Sequence, residues 1–152
     1  MEKTTKTITT AVVVLIFVTA AAVFALLFLI PSIALNDRLF DTAGVPAPFM
    51  VTMYVGSFAA LWFLKELFSI MVTVRKGDPF VKKNVSALAR MAVCCIVAAA
   101  ALACMLFIYG WYQHFSITVC IFILFFGALC AYTLSRVFDR AVEYKAENDL
   151  TV

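Results

Sequence analysis

"RKGDPFVKKN", residues 75–84, separates two long apolar runs in a chain of 152 residues that is 65% hydrophobic. How these ten residues are read decides the fold and the way round it sits. Four of them are cationic, Arg75, Lys76, Lys82 and Lys83, and they flank a glycine and an Asp-Pro pair. Gly77 suits the left-handed residue just past a helix end, with Arg75 and Lys76 beside the negative end of the helix dipole. Asp78 suits the cap of a following helix and Pro79 its first position, where a missing N–H costs nothing. The stretch therefore reads as a very short turn between two antiparallel helices.

Outward from the turn the chain is too apolar for a soluble domain, in which about 45–50% apolar residues is usual. Its mean hydropathy is +1.04 and only 14% of its residues are charged. Four stretches, 8–30, 49–68, 91–111 and 117–134, match the roughly 20 helical residues that cross a hydrocarbon core. The expected fold is all-α: a single domain over 1–152, an integral membrane four-helix bundle with helices at about 8–30, 49–76, 79–111 and 117–147. The first stretch follows Lys3 and Lys6 like a secretory signal, but it runs far past the 7–15 residues of a signal core. It reads as an uncleaved first helix.

Lys and Arg set the orientation. Lys3 and Lys6 precede helix one; Arg75, Lys76, Lys82, Lys83 and Arg90 surround the second connection; Arg136, Arg140 and Lys145 follow helix four. The first connection, 31–48, has only Arg38, and the third has none. The positive-inside rule then places both termini and the 75–90 region in the cytoplasm, the signature of a multi-pass inner-membrane protein. Tyr109, Trp111, Tyr112 and His114 would form an aromatic cluster at the outer interface. The outer connection itself, with three prolines, reads as a broken loop.

A turn this short forces helices two and three to run almost to it, so each should protrude into the cytoplasm by roughly 8–12 residues, about 12–18 Å. Periodicity agrees. Leu64, Leu67, Phe68, Met71 and Val74 share one face of helix two, with Lys65, Glu66, Ser69, Thr73 and Lys76 on the opposite one. Val81, Val85, Leu88 and Ala92 form a stripe on helix three, with Arg90 off it; Leu134, Val137, Phe138, Ala141 and Val142 form one on helix four. Three amphipathic extensions are expected to bury these stripes together. Lys65 and Glu66, which could be an intramembrane ion pair, are read as lying at the inner interface on the polar face of an emerging helix, with Lys65 snorkelling.

Little catalytic chemistry is visible. His114 is the only histidine, in a short loop without a carboxylate cluster, so no ordinary metal site can be assembled on it. Cys94, Cys95, Cys104, Cys120 and Cys130 all fall in helices three and four, without a C-x-x-C pair, and read as small hydrophobes. No cofactor is expected. A transport path would leave ionisable residues at mid-bilayer, and none is read there. Small residues, among them Gly56 with Ala60 and Gly127 with Ala131, allow close helix approach, within one chain or in a homo-oligomer.

The stretches "KGDPFVKKNVSALARMA", residues 76–92, and "RAVEYKAENDLTV", residues 140–152, together resemble two recurring marks of the YoaS-like bacterial membrane proteins. That family is itself a domain of unknown function. The resemblance spans the chain in length and four-helix layout, and implies a bacterial inner-membrane protein whose gene often lies beside a small helix-turn-helix regulator of the Cro/repressor type. The expected function is a membrane-embedded regulatory or sensing subunit, not an enzyme, that docks a cytosolic partner such as that transcription regulator and does not itself bind nucleic acid. The alternative is a small transporter or immunity-type exporter component; a structural partner of a larger membrane complex is a third class. Besides the lipid bilayer, the candidate partner-binding residues are Arg75, Lys76, Lys82, Lys83, Arg140, Glu143 and Asp149. The final "ENDLTV", 147–152, is expected to leave the helix and to dock its acidic end on the chain's own basic turn.

Overall fold

The structure is a computed structural model that describes residues 2–34, 47–77, 79–109 and 115–149. These form four helices, α1 (Glu2–Ala34), α2 (Ala47–Arg75), α3 (Lys82–Tyr109) and α4 (Phe115–Asp149), with no strand among the described residues. Each exceeds the roughly 20 residues that span a hydrocarbon core, and each contains an apolar window long enough to do so. The expected aromatic cluster at 111–114, most of the 31–48 connection, the Asp78 cap and the docking of residues 150–152 lie outside the described residues. α1 is longer than expected at both ends, starting at Glu2 and continuing through Pro31 to Ala34, and α4 continues two residues further, through Asn148 to Asp149.

Gly77 has φ of +85°, and its N–H bonds to the Val74 carbonyl at 3.1 Å. That bond is one half of a Schellman-type helix end, which needs the left-handed residue that glycine supplies at least cost. α3, however, starts at Lys82 and not at Pro79. In a helix begun at Pro79 that residue's carbonyl would accept from the backbone four residues on; instead it accepts the Asn84 side chain, Nδ2 to O at 2.7 Å. The Asn84 N–H turns back to Val81 at 2.9 Å, so the first helical turn forms three residues later.

The helices pack in sequence order. α3 is the central one, most extensively against α4 and then α2, and α1 leans on α2 more lightly. The α3–α4 seam is built on small side chains. Ala87 is 0% exposed, and Ala92, Ala128 and Ala131 are buried. Such residues let backbones approach closely, closely enough here for the Ser135 hydroxyl to donate to the Val85 carbonyl at 2.9 Å. Gly127 belongs to this seam, since a Cβ there would stand 4.0 Å from Cys95 Sγ, whereas one at Gly56 would meet no atom within 4 Å. Phe17 of α1 meets Phe68 of α2 edge-on, and Phe80 of the turn packs at a tilt against Phe138 of α4. The first turns of α1, the 76–81 turn and the far end of α4 therefore share one end of the molecule.

Non-adjacent helices barely touch, so the bundle is open. The chain exposes 10913 Å², against about 7,700 Å² for a compact soluble monomer of its mass. Large apolar side chains such as Phe107, Phe115 and Phe122 account for much of the excess. A surface of that kind is stable when hydrocarbon covers it, which fits a multi-pass membrane protein.

Candidate functional site

The closed end of the α2–α3 hairpin carries the basic residues singled out from sequence. Arg75 ends α2 and Lys76 opens the turn, Lys82 and Lys83 begin α3, and all four are exposed. Arg140 and Glu143 are exposed on α4; Asp149 is its last residue, and its side chain lies outside the described residues. Because Phe138 meets Phe80 in the turn itself, residues 139–149 run on past the hairpin end. Eleven residues of helix reach about 16 Å. Along this overhang Ala141 and Val142 are half-buried, and Tyr144 is exposed.

Two polar clamps hold the hairpin rigid behind that end. Arg90 donates to Glu66 through Nε at 2.9 Å and Nη2 at 2.8 Å, a bidentate pair. Glu66 has a side chain only 5% exposed, against 45% for Arg90. Nearer the turn, Thr73 Oγ1 lies 2.7 Å from Asn84 Oδ1 and 2.7 Å from the Ile70 carbonyl, so its one proton serves either acceptor. Asn84, 1% exposed, carries the link on to Pro79. A buried asparagine whose amide is satisfied on both sides fixes register, because sliding either helix by one residue would orphan it.

This geometry corrects the expected faces. Glu66 does not sit on a solvated face beside Lys65; it is in the α2–α3 interface, on one line with Thr52, Ala59 and Thr73 at seven-residue spacing. Lys65 does point outward, its Nζ 5.4 Å from the Trp62 ring centroid. On α3 the innermost residues are Asn84, Ala87, Met91 and Ala92, so Arg90 reaches inward from the edge of the packed face. On α4 the residues turned inward are Ala128, Ala131, Ser135 and Phe138, while Leu134 and Val137 are 49% and 58% exposed. The three apolar stripes are therefore only partly buried together. Hydropathy missed the clamps because it scores each side chain alone. The signal that was there is positional: Glu66 and Arg90 stand twelve residues either side of residue 78, and Thr73 and Asn84 five and six. An antiparallel hairpin brings such pairs together.

Counted along the helices, Glu66 lies 17 residues from Phe49 and Arg90 18 residues from Ile108, the far ends of their apolar spans. At 1.5 Å per residue each is about 26 Å from that end, close to the full depth of a 30 Å core. All five cysteines are free, with Cys104, Cys120 and Cys130 on exposed faces. Among the described residues no three His, Cys, Asp or Glu side chains converge as metal ligands would. Among the described residues, what this end presents is an exposed cationic helical tip.

A family described as "Protein of unknown function (DUF2975)" matches residues 32–152, which include the hairpin, both clamps and all of α4. No curated protein and no solved structure matches the chain.

Proposed function

Since the chain belongs to the DUF2975 family, whose description assigns no activity, we propose its role from its own geometry: a membrane-embedded regulatory subunit that holds a stiff basic helical tip in the cytoplasm for a cytosolic protein to dock on. The observation that carries this reading is the clamped hairpin end, with Arg75, Lys76, Lys82 and Lys83 exposed beside the α4 overhang. Charged, rigid and open surfaces favour an oppositely charged partner, through faster encounter and a lower cost of ordering. In this proposal the termini and the turn face the cytoplasm of a bacterial inner membrane, because eleven of the twelve Lys and Arg residues fall toward that end in sequence. The narrower resemblance to YoaS-like proteins points to a helix-turn-helix transcription regulator as the partner. The acidic face of such a regulator, not its DNA-binding face, would meet the tip.

The test is site-specific photo-crosslinking in native membranes, with the crosslinker at Lys83 and, separately, at Tyr144 of the full-length chain. A soluble DNA-binding protein crosslinked at both positions, and lost on Arg75→Glu with Lys82→Glu, is the expected result. Crosslinks to a transport subunit would move the protein to the exporter class. Crosslinks only to lipid, or ones indifferent to charge reversal, would defeat the docking reading.

A further inference from the structure

A lateral groove of about 850 Å³ opens between α1, α2 and α3, on the flank of the hairpin away from its tip. Its wall is apolar and aromatic, with Phe24 and Phe28 from α1, Tyr54 and Phe58 from α2, and Val93 and Val97 from α3. It runs along α2 from Tyr54 to Trp62, eight residues or about 12 Å. One end is chemically different from the rest. There the lining is Trp62 and Arg90, and Arg90 is the only charged side chain among the groove's lining residues.

Arg90 is not used up by its partner. Glu66 takes Nε and Nη2, and Nη1 has no hydrogen-bond partner among the described residues. The side chain is 45% exposed. A guanidinium offers five N–H donors in a fixed fork, so outward-facing donors remain for a second oxygen anion. Lys65 adds an ammonium over the Trp62 ring at this same end. Lys65 and Arg90 against Glu66 leave a local charge of +1 beside a long apolar channel.

We propose that this groove is a binding site for one anionic phospholipid of the surrounding bilayer, its phosphate held by Arg90 and Lys65 and one acyl chain laid along the groove toward Tyr54. The groove volume is that of ordinary small-ligand pockets. An indole at the head end is suited to the headgroup boundary, where amphipathic rings gather. Basic pockets between transmembrane helices near the membrane surface are the recognised chemistry for anionic headgroups. A zwitterionic lipid could fill the same channel but would bring its own cation to a site already positive.

The experiment reads Trp62 fluorescence in the full-length Trp111→Phe protein, reconstituted in phosphatidylcholine vesicles. A fixed fraction of either brominated phosphatidylcholine or brominated phosphatidylglycerol is included, with bromines near the head of one chain. One net positive charge near the surface predicts about a fivefold preference for the anionic quencher. Lys65→Gln should bring the preference close to onefold. The Glu66→Gln/Arg90→Gln double variant keeps a hydrogen-bonding pair of similar shape and leaves the local charge at +1, so a fall to between onefold and fivefold is expected there and reports the loss of the guanidinium donors themselves. Arg136→Gln should leave it at fivefold, because Arg136 is an exposed cation over the Tyr132 ring of α4, a helix that contributes no residue to the groove, whereas Lys65 sits over Trp62 of its lining. Equal quenching by the two lipids in the parent protein would overturn the proposal. So would a loss on Arg136→Gln as large as that on Lys65→Gln, which would mean diffuse surface attraction.

Discussion

Gly77 carries the turn through backbone conformation alone. At φ of +85° an L-residue is strained, yet a Cβ added there meets no atom within 4 Å, so substitutions isolate the conformational term from any clash. Gly77→Ala should cost about 1 kcal/mol and Gly77→Val somewhat more, while Gly77→Asn should cost least, because asparagine visits the left-handed region most readily. The order Asn, Ala, Val in reversible unfolding from mild to strong detergent is the check, and equal stabilities would show that the turn relaxes. Arg90 makes the opposite case, in which contact is everything. Arg90→Gln leaves the buried Glu66 carboxylate without its bidentate partner and should cost about 2–3 kcal/mol, less than a fully buried pair because Arg90 is half in the open. Glu66→Gln together with Arg90→Gln should recover most of that loss. Purely additive effects in the double-mutant cycle would mean the two residues do not cooperate.

Each helix is legible in its apolar length, because an uninterrupted run of about 20 such residues has few other uses. The turn is legible because glycine and proline restrict backbone choices so strongly. Helix faces were harder to read. A carboxylate counts as polar in any periodicity score, but once matched by a guanidinium on the facing helix the pair packs in an interface, as Glu66 and Arg90 do. The same blindness hid Asn84, which directly follows two lysines in the sequence and is the most enclosed large side chain among the described residues. For the same reason α3 starts three residues later than the Asp-Pro pair suggests, since the Asn84 amide takes the Pro79 carbonyl and holds Pro79 out of the helix. Asn84→Ala should therefore loosen the hairpin end without unfolding the helices beyond it. Loss of two hydrogen bonds worth about 1 kcal/mol each predicts amide exchange at Lys76, Gly77 and Asn84 faster by roughly an order of magnitude or more, with α3 beyond Met91 unchanged. Uniform acceleration along α3 would instead make Asn84 a determinant of global stability.

At the scale of the whole molecule, an open array of four helices has one unusual asymmetry: its charge. The contacts of Phe17 with Phe68 and Phe80 with Phe138 put the start of α1, the turn and the end of α4 at one end, so the up-and-down order of the helices is fixed relative to the turn. The side of the membrane on which that end lies is then set, by the positive-inside rule, by the Lys and Arg it carries, with Arg38 the only one in the 31–48 stretch of sequence. The bias is too large for one substitution to reverse. A chain lacking its five native cysteines, with a single cysteine at Ser86 near the turn or at Ser116 at the start of α4, separates the two ends cleanly, because both positions are exposed. In intact cells an impermeant maleimide should label Ser116→Cys and spare Ser86→Cys, and in inside-out vesicles the pattern should reverse. Replacing Arg75, Lys76, Lys82 and Lys83 with glutamine removes four of the eleven cations and should yield a mixed population in which both positions label from both sides. Were the unsubstituted turn already to label Ser86→Cys from outside, the positive end would face the wrong compartment for any cytosolic partner. The docking proposal would then fall with the orientation.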